Sequence, residues 1–341
     1  MSDPLAVAAQ FAVVGAPAAL DLHTGGHIND TWFVATDRGV RYVLQRINSH
    51  VFVNAAGVAA NTARVVDEIE RRAPGLVPRL VHALDGGAAV VDAGDVYRML
   101  AFVDGRALPG LETIEQARAA GLAFGRFQAA LAQYDASQHV VPIPRFHELR
   151  WQLERFDAVL ERPRPERATK SANDVAAAQR ERARVAGESL GPRGMIHGDG
   201  KVTNLLFDSD DRVRAVLDLD TVMVGALSWD FGDLVRSAAA IGAEDAPDIA
   251  FSIERFGALA RGYVRGAGDL VTPDLRAALG SVAAYMAYML SLRFLIDYLD
   301  GDRYFRVAYP EHNLVRARSQ FRLFRAIADA RDELDRIVAR A

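Results

Sequence analysis

The pattern of apolar residues changes near residue 100, and this change constrains the fold more than any other feature of the chain. Asp30–Ala35 and Val40–Ile47 are rich in β-branched and aromatic residues and are joined by a turn sequence, so they predict a hairpin. Further short strands are predicted over 80–84, 88–91 and 97–103, with one helix over 54–72. The first hundred residues therefore predict a mostly antiparallel sheet with one helix.

Helical spacing dominates beyond this point. Thr113, with Gln116 three residues later, is typical of a capping box that begins a helix over 113–134. Strand-like residues return only between 195 and 221, and further helices are predicted over 145–160, 176–190, 228–241, 250–265, 273–299 and 314–341. We therefore predict a two-lobed α+β fold, with a sheet-rich lobe over 1–103, a hinge at about 101–106 and a larger helical lobe over 104–341.

Composition excludes several classes of protein. The 341 residues include 40 basic and 44 acidic ones, a formal net charge of −4, so no basic excess points to a nucleic acid or an anionic membrane as partner. The chain has no cysteine, which excludes disulfides, thiol catalysis and cysteine-ligated metals. The uncharged run Ala277–Leu292 is short for a membrane span and predicts a buried helix. We expect a cytoplasmic protein with no membrane or nucleic-acid partner.

The chemistry-bearing residues cluster between 195 and 233. Asp199 lies in a His-Gly-Asp sequence, Asn204 follows five residues later, and Asp218 and Asp220 are predicted on one face of a strand. Phosphoryl transfer needs a carboxylate near the acceptor hydroxyl and oxygen ligands for the Mg²⁺ that accompanies nucleotide phosphates. Any one of these residues alone could simply form a turn or a cap. Their joint spacing favours phosphoryl transfer.

These residues carry a resemblance to a known superfamily. His197-Gly198-Asp199 with Asn204, followed by Leu217-Asp218, resembles the Brenner-type motif of the aminoglycoside phosphotransferases and choline kinases, which have a protein-kinase-like fold. Longer stretches resemble the N-acetylhexosamine 1-kinases, namely GGHINDTWFV with YVLQRIN, HGDGKVTNLLFD with LDLDTVM, and RFLIDYLDGDRYF with HNLVRARSQ.

The resemblance implies a kinase dependent on ATP and Mg²⁺ that phosphorylates a small-molecule sugar. The expected acceptor is the anomeric hydroxyl of an N-acetylhexosamine or a related hexose. Two alternatives stay open at this point. One is a kinase of the same superfamily that acts on an aminoglycoside or an amino alcohol. The other is a catalytically silent module that only binds nucleotide.

The resemblance also implies roles for individual residues. Asp199 would be the catalytic base, and Lys201 would neutralise phosphate charge. Asn204 and Asp218 would hold Mg²⁺. Asp220 is a third candidate metal ligand, which could instead hydrogen-bond the substrate or brace the loop.

The nucleotide site departs from the usual kinase pattern. Most kinase-like folds place a lysine on the third strand to bind phosphates, but no lysine precedes Lys170 in this chain. Gln45 or Arg46 takes that place. The other predicted nucleotide contacts are the phosphate-loop glycines Gly25 and Gly26, which could also be a plain turn, and the adenine-binding hinge residues Leu100, Ala101, Phe102 and Val103.

The acceptor site is predicted from the same resemblance. We expect sugar contacts from Asp199 itself and from His27, Asn29, Asp30, Arg293 and Tyr304. For Arg293, pairing with Asp297 or Asp300 is an equally open interpretation. Asp230 and Asp233 are expected to cap a helix and to brace the catalytic loop.

Overall fold

The first hundred residues form one antiparallel sheet with a long helix beside it. The computed structural model describes residues 3–24, 28–162 and 164–341. The sheet strands are β1 (Pro17–His23), β2 (Asp30–Thr36), β3 (Arg41–Arg46), β4 (Leu80–Val81), β5 (Val90–Asp92) and β6 (Asp95–Ala101). Their spatial order is β1-β2-β3-β6-β4, and β5 also pairs with β6. The helices of this part are α1 (Pro4–Ala8) and α2 (Ala55–Arg72).

One face of this sheet is apolar, which explains why the strands form. Val34, Leu44 and Met99, from β2, β3 and β6, are all at most 1% exposed and pack with Phe11 and Val7 from the N-terminal segment. The predicted hairpin is confirmed as β2 and β3, and Asn54 caps the N-terminus of α2 as its side chain accepts a hydrogen bond from the Gly57 N–H.

The rest of the chain is mainly helical. Its helices are α3 (Ile114–Ala130), α4 (Leu149–Glu161), α5 (Pro165–Lys170), α6 (Ala172–Ala186), α7 (Ser228–Ala238), α8 (Ile253–Ala267), α9 (Pro273–Leu279), α10 (Val282–Asp300), α11 (His312–Asp329) and α12 (Arg331–Arg340). Its short strands are β7 (Arg106–Ala107), β8 (Arg193–Ile196), β9 (Leu205–Phe207), β10 (Val213–Val216), β11 (Met223–Ala226), β12 (Ala240–Ile241) and β13 (Ala250–Phe251). The predicted α+β class and the capping box of α3 are confirmed.

Four local predictions differ from the structure. The predicted helix over 273–299 is divided between α9 and α10 at Gly280, where a Cβ atom would lie 1.8 Å from a carboxylate oxygen of Asp335. The predicted helix over 314–341 is likewise divided at Ala330. Between the predicted helices over 145–160 and 176–190 no helix was expected, but the structure has α5 there, whose first residue is a proline in a position that favours helix initiation. The strand expected to run through Asp220 ends at Val216.

Helix α10 is the buried centre of the helical part. By length and composition it could cross a membrane, but 83% of its apolar window is buried inside the protein. A mostly buried apolar helix is typical of the core of a globular fold. The prediction of a buried helix over Ala277–Leu292 is therefore confirmed for its larger part.

Helices α3 and α8 cross at very short distance, and this crossing supports the residues described below. A Cβ atom on Gly121 of α3 would lie 2.2 Å from the carbonyl oxygen of Leu259 on α8, so only glycine fits there. The contact places Tyr263 of α8 beside Gln128 of α3, and the tyrosine hydroxyl donates a hydrogen bond to the glutamine carbonyl oxygen.

Candidate active site

The β9–β10 hairpin brings Asn204 and Asp218 to the same end of two paired strands. Leu205 is opposite Val216, and the N–H of Leu217 donates to the carbonyl of Asn204 at 2.8 Å. Asn204 directly precedes β9 and Asp218 comes two residues after β10, so antiparallel pairing makes them neighbours. Asp218 has φ +61°, in the left-handed region that non-glycine residues seldom occupy and that is often found at functional sites.

Asp199 lies between a cation and an amide. Its Oδ2 atom is 2.7 Å from the Lys201 ammonium and accepts a hydrogen bond from the Asn204 side chain at 3.0 Å. The same Asn204 amide donates to the Asp199 carbonyl at 2.9 Å. Desolvation opposes ionisation, but the charge of Lys201 and the hydrogen bond from Asn204 hold the pKa of Asp199 below its ordinary value. Asp199 is therefore a carboxylate at neutral pH.

Asp230 holds the loop that carries Asp199. Its two oxygens accept hydrogen bonds from the backbone N–H groups of His197 at 2.7 Å and Gly198 at 2.8 Å, and from the Gln128 side chain at 2.8 Å. Gly198 has φ +80°, and a Cβ atom there would lie 2.3 Å from the Thr221 carbonyl oxygen. The loop therefore follows one path, as expected for a brace by Asp230.

His197 links the two halves of the site. Its Nε2 atom lies 2.8 Å from the carbonyl oxygen of Leu217, and its Nδ1 atom accepts the N–H of Asp199 at 3.3 Å. These partners assign the neutral ring with its proton on Nε2, since a carbonyl oxygen can only accept. The ring is fully buried and so fixes the spacing between the Asp199 loop and the residue before Asp218.

Asp218 and Asn204 offer free oxygen atoms to the cleft. Asp218 is exposed, and none of the described residues donates a hydrogen bond to its carboxylate. Desolvation, together with the carboxylates of Asp220 and Asp199, raises the pKa of Asp218 to about 6. The Asn204 amide nitrogen is used by Asp199, which leaves its Oδ1 atom without a partner among the described residues. Carboxylate and amide oxygens are the ligands that Mg²⁺ prefers, so this donor set fits the predicted metal.

Asp220 differs from the other two predicted metal ligands. One of its oxygens forms an ion pair with Arg98, and the other accepts a hydrogen bond from the Asn29 side chain at 2.5 Å. Both oxygens are therefore bound to groups of the protein. Asn204 and Asp218 are the two predicted ligands whose oxygens are free, and the role of all three stays a prediction.

The predicted phosphate contacts on β3 are bound to neighbouring side chains. Gln45 accepts hydrogen bonds from Arg98 at 2.8 and 3.0 Å, and Arg46 forms ion pairs with Asp30 and Asp95. Their predicted contacts with nucleotide or sugar stay predictions. Gly25, Gly26 and His27 lie outside the described residues.

The predicted hinge follows β6. Leu100 and Ala101 are the last residues of that strand, and the Phe102 N–H donates to the Arg41 carbonyl at 3.3 Å. Val103 comes next, and its backbone N–H makes no hydrogen bond with any other described residue. A free backbone donor at this point suits recognition of a purine edge.

Arg293 lies within a collar of aromatic rings formed by Phe146, Tyr304 and Phe305. Its guanidinium is 4.8 Å from the Phe146 ring, 5.4 Å from Phe305 and 5.6 Å from Tyr304. Among the described residues no carboxylate lies within 4.0 Å of it, and its one hydrogen bond is a long one to the Tyr304 hydroxyl at 3.5 Å. The pairing with Asp297 or Asp300 considered above is therefore wrong.

The pKa of Arg293 is affected by charged groups that include residues of the catalytic loop. Desolvation lowers the pKa of Arg293, while Tyr304, Asp233 and Asp199 oppose the shift. Asp297 is occupied elsewhere, because its oxygens accept the backbone N–H groups of residues 303, 304 and 305. Arg293 is therefore close enough to the catalytic loop for the charge of Asp199 to act on it.

Two buried polar residues of the site escaped the sequence analysis. Arg98 is 1% exposed in the middle of β6, and Gln128 is 1% exposed in α3. A charged residue within an otherwise apolar strand is itself a signal, because a buried charge needs a partner. The partner, however, is 122 residues away in the chain.

The fold and the site together define a two-lobed, protein-kinase-like phosphotransferase. The sequence profile described as "phosphotransferase enzyme family" matches residues 20–278. The chain belongs to this family.

Solved structures with the same fold agree with this assignment. An aminoglycoside phosphotransferase from Alicyclobacillus acidocaldarius is 13% identical with a TM-score of 0.67, over 100% of this chain and 98% of that one. An amicoumacin kinase in complex with AMP-PNP, Ca²⁺ and Ami is 15% identical with a TM-score of 0.63, over 93% of this chain and 91% of that one. A choline kinase from Cryptosporidium parvum is 13% identical with a TM-score of 0.53, over 91% and 90%.

The raised pKa of Asp218 generates a test of stability against pH. The folded protein takes up a proton at Asp218 near pH 6, whereas an unfolded chain does so only near pH 4. At pH 7.5 the ionised side chain therefore destabilises the fold. Without divalent metal, we expect Asp218→Asn to unfold at a higher temperature than wild type at pH 7.5, with the gap closing as pH falls from 6 to 4. Because Asp218 is exposed, solvent screens this penalty and keeps the gap to about 1–2 °C.

Differential scanning calorimetry with and without Mg²⁺ and nucleotide measures this effect. We expect the ligands to stabilise wild type more than the variant, because the substituted side chain is a neutral amide and no longer a carboxylate. Equal stability of the two proteins at pH 7.5 without metal would contradict the electrostatic description of Asp218.

Proposed function

We propose that this phosphotransferase is a kinase dependent on ATP and Mg²⁺ that acts on the anomeric hydroxyl of an N-acetylhexosamine or a related hexose. The observation that carries the transfer reaction is the ionised Asp199, held by Lys201 and Asn204 beside the free oxygens of Asp218. A charged carboxylate at this point can orient an incoming alcohol, which is the main task in a loose phosphoryl-transfer transition state.

The transfer is a direct in-line displacement. The acceptor oxygen forms a bond to the γ-phosphorus while the bond from that phosphorus to the leaving oxygen of ADP breaks. The acceptor proton passes to Asp199, which releases it to solvent. Because Lys201 keeps the pKa of Asp199 low, proton transfer comes late, and orientation of the hydroxyl is the larger part of the role of Asp199.

The nucleotide is held by groups on both sides of the cleft. Asn204 and Asp218 would hold Mg²⁺, which when bound neutralises charge on the β- and γ-phosphates. Lys201 keeps its own charge, because Asp199 outweighs desolvation and raises the pKa of the lysine. The free N–H of Val103 would meet the adenine edge.

The charge of the acceptor side favours an uncharged sugar over a cationic acceptor. Arg293 carries a positive charge with no carboxylate within 4.0 Å among the described residues, and the charges around it are those of Arg155 and of the more distant carboxylates Asp233 and Asp199. Aminoglycosides and amino alcohols are cations and would be repelled by an unpaired guanidinium. The hydroxyl and carbonyl groups of an N-acetylated sugar would instead accept hydrogen bonds from it.

A panel of acceptors tests the proposed reaction. We expect ³¹P NMR with ATP and Mg²⁺ to give a sugar 1-phosphate with at least one free N-acetylhexosamine or hexose. Methyl glycosides of the same sugars should give no product, because their O1 atom is blocked. An aminoglycoside and choline serve as cationic competitors. Turnover of either cation but of no free sugar would replace the sugar proposal by the alternative acceptor class.

Replacement of Arg293 tests the acceptor side separately. Arg293→Met keeps contact with Phe146, Tyr304 and Phe305 but removes the charge, so the melting temperature should stay the same or rise. We expect the KM for the sugar to increase about tenfold or more, the value of one charged hydrogen bond, with the KM for ATP unchanged. Steady-state kinetics with each substrate varied in turn measures both constants. An unchanged sugar KM would remove Arg293 from the acceptor site.

A further inference from the structure

A buried polar cluster joins the six-stranded sheet to the turn that follows Asp218. Arg98 of β6 and Asp220 of that turn are 1% and 2% exposed and form an ion pair. Gln45 of β3, Thr62 of α2 and Asn29 complete the cluster. A buried arginine and a buried aspartate are each costly to desolvate, so neither can lose its partner cheaply.

The hydrogen bonds of Arg98 leave little capacity for another ligand. Its Nε and Nη2 atoms donate to the Gln45 carbonyl oxygen at 3.0 and 2.8 Å, and its Nη1 atom donates to the Thr62 hydroxyl at 2.9 Å and to Asp220. Four of the five N–H groups of a guanidinium are thus in use. Arg98 therefore acts within the protein and not as a direct ligand of nucleotide phosphates.

The position of Asp220 explains how its ion pair with Arg98 can affect the nearby Asp218. Asp220 lies in the short 3-10 turn Leu219–Thr221, two residues after the left-handed Asp218. On one side this turn is held to the sheet by Arg98. On the other, the Thr221 hydroxyl donates to the His197 carbonyl at 2.9 Å. A strained backbone conformation persists only where its surroundings fix it in this way.

We propose that Arg98 is a positioning residue that sets the place of Asp218 relative to the sheet by holding Asp220. This inference rests on the proposed function, in which Asp218 is a metal ligand. Gln45, on the third strand, is directly opposite Arg98 in the sheet register. The buried cation thus lies on the strand next to β3, and its acidic partner comes from the turn after Asp218.

The decisive variant removes both charges together. Arg98→Met alone would leave Asp220 charged, buried and without its cation, and such a variant could fail to fold. Arg98→Met combined with Asp220→Asn avoids that problem, and replacement of a buried ion pair by uncharged residues is often neutral for stability. We expect the double variant to be folded, with a circular dichroism spectrum like that of wild type.

Two measurements other than turnover report on the position of Asp218. The first is hydrogen exchange at the Val222 N–H, which donates to the Leu219 carbonyl within the turn. The second is the affinity for AMP-PNP, measured calorimetrically with Mn²⁺ and without metal. In the double variant we expect exchange at Val222 to be about tenfold faster and metal-dependent affinity about tenfold weaker. Affinity without metal should be unchanged.

Two further variants complete the experiment. Arg98→Lys keeps the charge but has three donors in place of a planar fork, so we expect an effect in the same direction and smaller. If the double variant does not fold, hydrogen exchange and nucleotide affinity are measured in Arg98→Lys instead. Arg182→Met is the matched control, because it removes an arginine from an exposed bidentate pair with Asp157 between α6 and α4. That control should match wild type in both measurements.

The proposal would be overturned if the double variant showed the exchange rate and the metal-dependent affinity of wild type. If the double variant does not fold, wild-type values of both quantities in Arg98→Lys would overturn it instead. Failure of the proposed function has a different signature. In that case wild type would transfer phosphate to no sugar, while the exchange and affinity measurements would still report whether Arg98 fixes the turn.

Discussion

The carboxylate of Asp230 is the constraint on which the rest of the site depends. It accepts two consecutive backbone N–H groups, those of His197 and Gly198, and thereby fixes the loop that presents Asp199. Its third donor, Gln128, is held in turn by Tyr263, so the loop is tied to the close crossing of α3 and α8. This arrangement uses the rigid helical core to position a residue that lies on a loop.

The two carboxylates of the proposed reaction are driven in opposite directions by their surroundings. The pKa of Asp199 is lowered by the Lys201 ammonium, whereas desolvation and neighbouring acids raise the pKa of Asp218 to about 6. When two carboxylates of one site have pKa values shifted in opposite directions, they can take different chemical roles. Asp199 stays charged and oriented toward an alcohol. The negative charge of Asp218 is not fully balanced by nearby positive groups, so a divalent cation bound there would stabilise it.

The sequence predicted the α+β fold, the capping box of α3 and the short segment that contains Asp199, Asn204 and Asp218, because each depends on residues close together in the chain. A cap of α7 by Asp230 or Asp233 was wrong, because Leu227 precedes that helix and no side chain caps it. Contacts between residues far apart in the chain could not be predicted from the sequence. Asn29 and Gln45 were predicted as ligand contacts, and the structure shows them in contact with Asp220 and Arg98. The neighbour that restricts position 280 to glycine is also distant in the chain, because Asp335 of α12 occupies the space that a side chain would need.

In the proposed reaction, Asp199 acts on the acceptor hydroxyl and has no part in binding the nucleotide. Replacement of Asp199 by asparagine tests this most directly, with calorimetric binding of AMP-PNP and Mg²⁺ measured beside turnover of ATP. We expect nucleotide affinity like that of wild type and turnover slower by about 10²–10⁴-fold. Turnover close to that of wild type in this variant would contradict the claim.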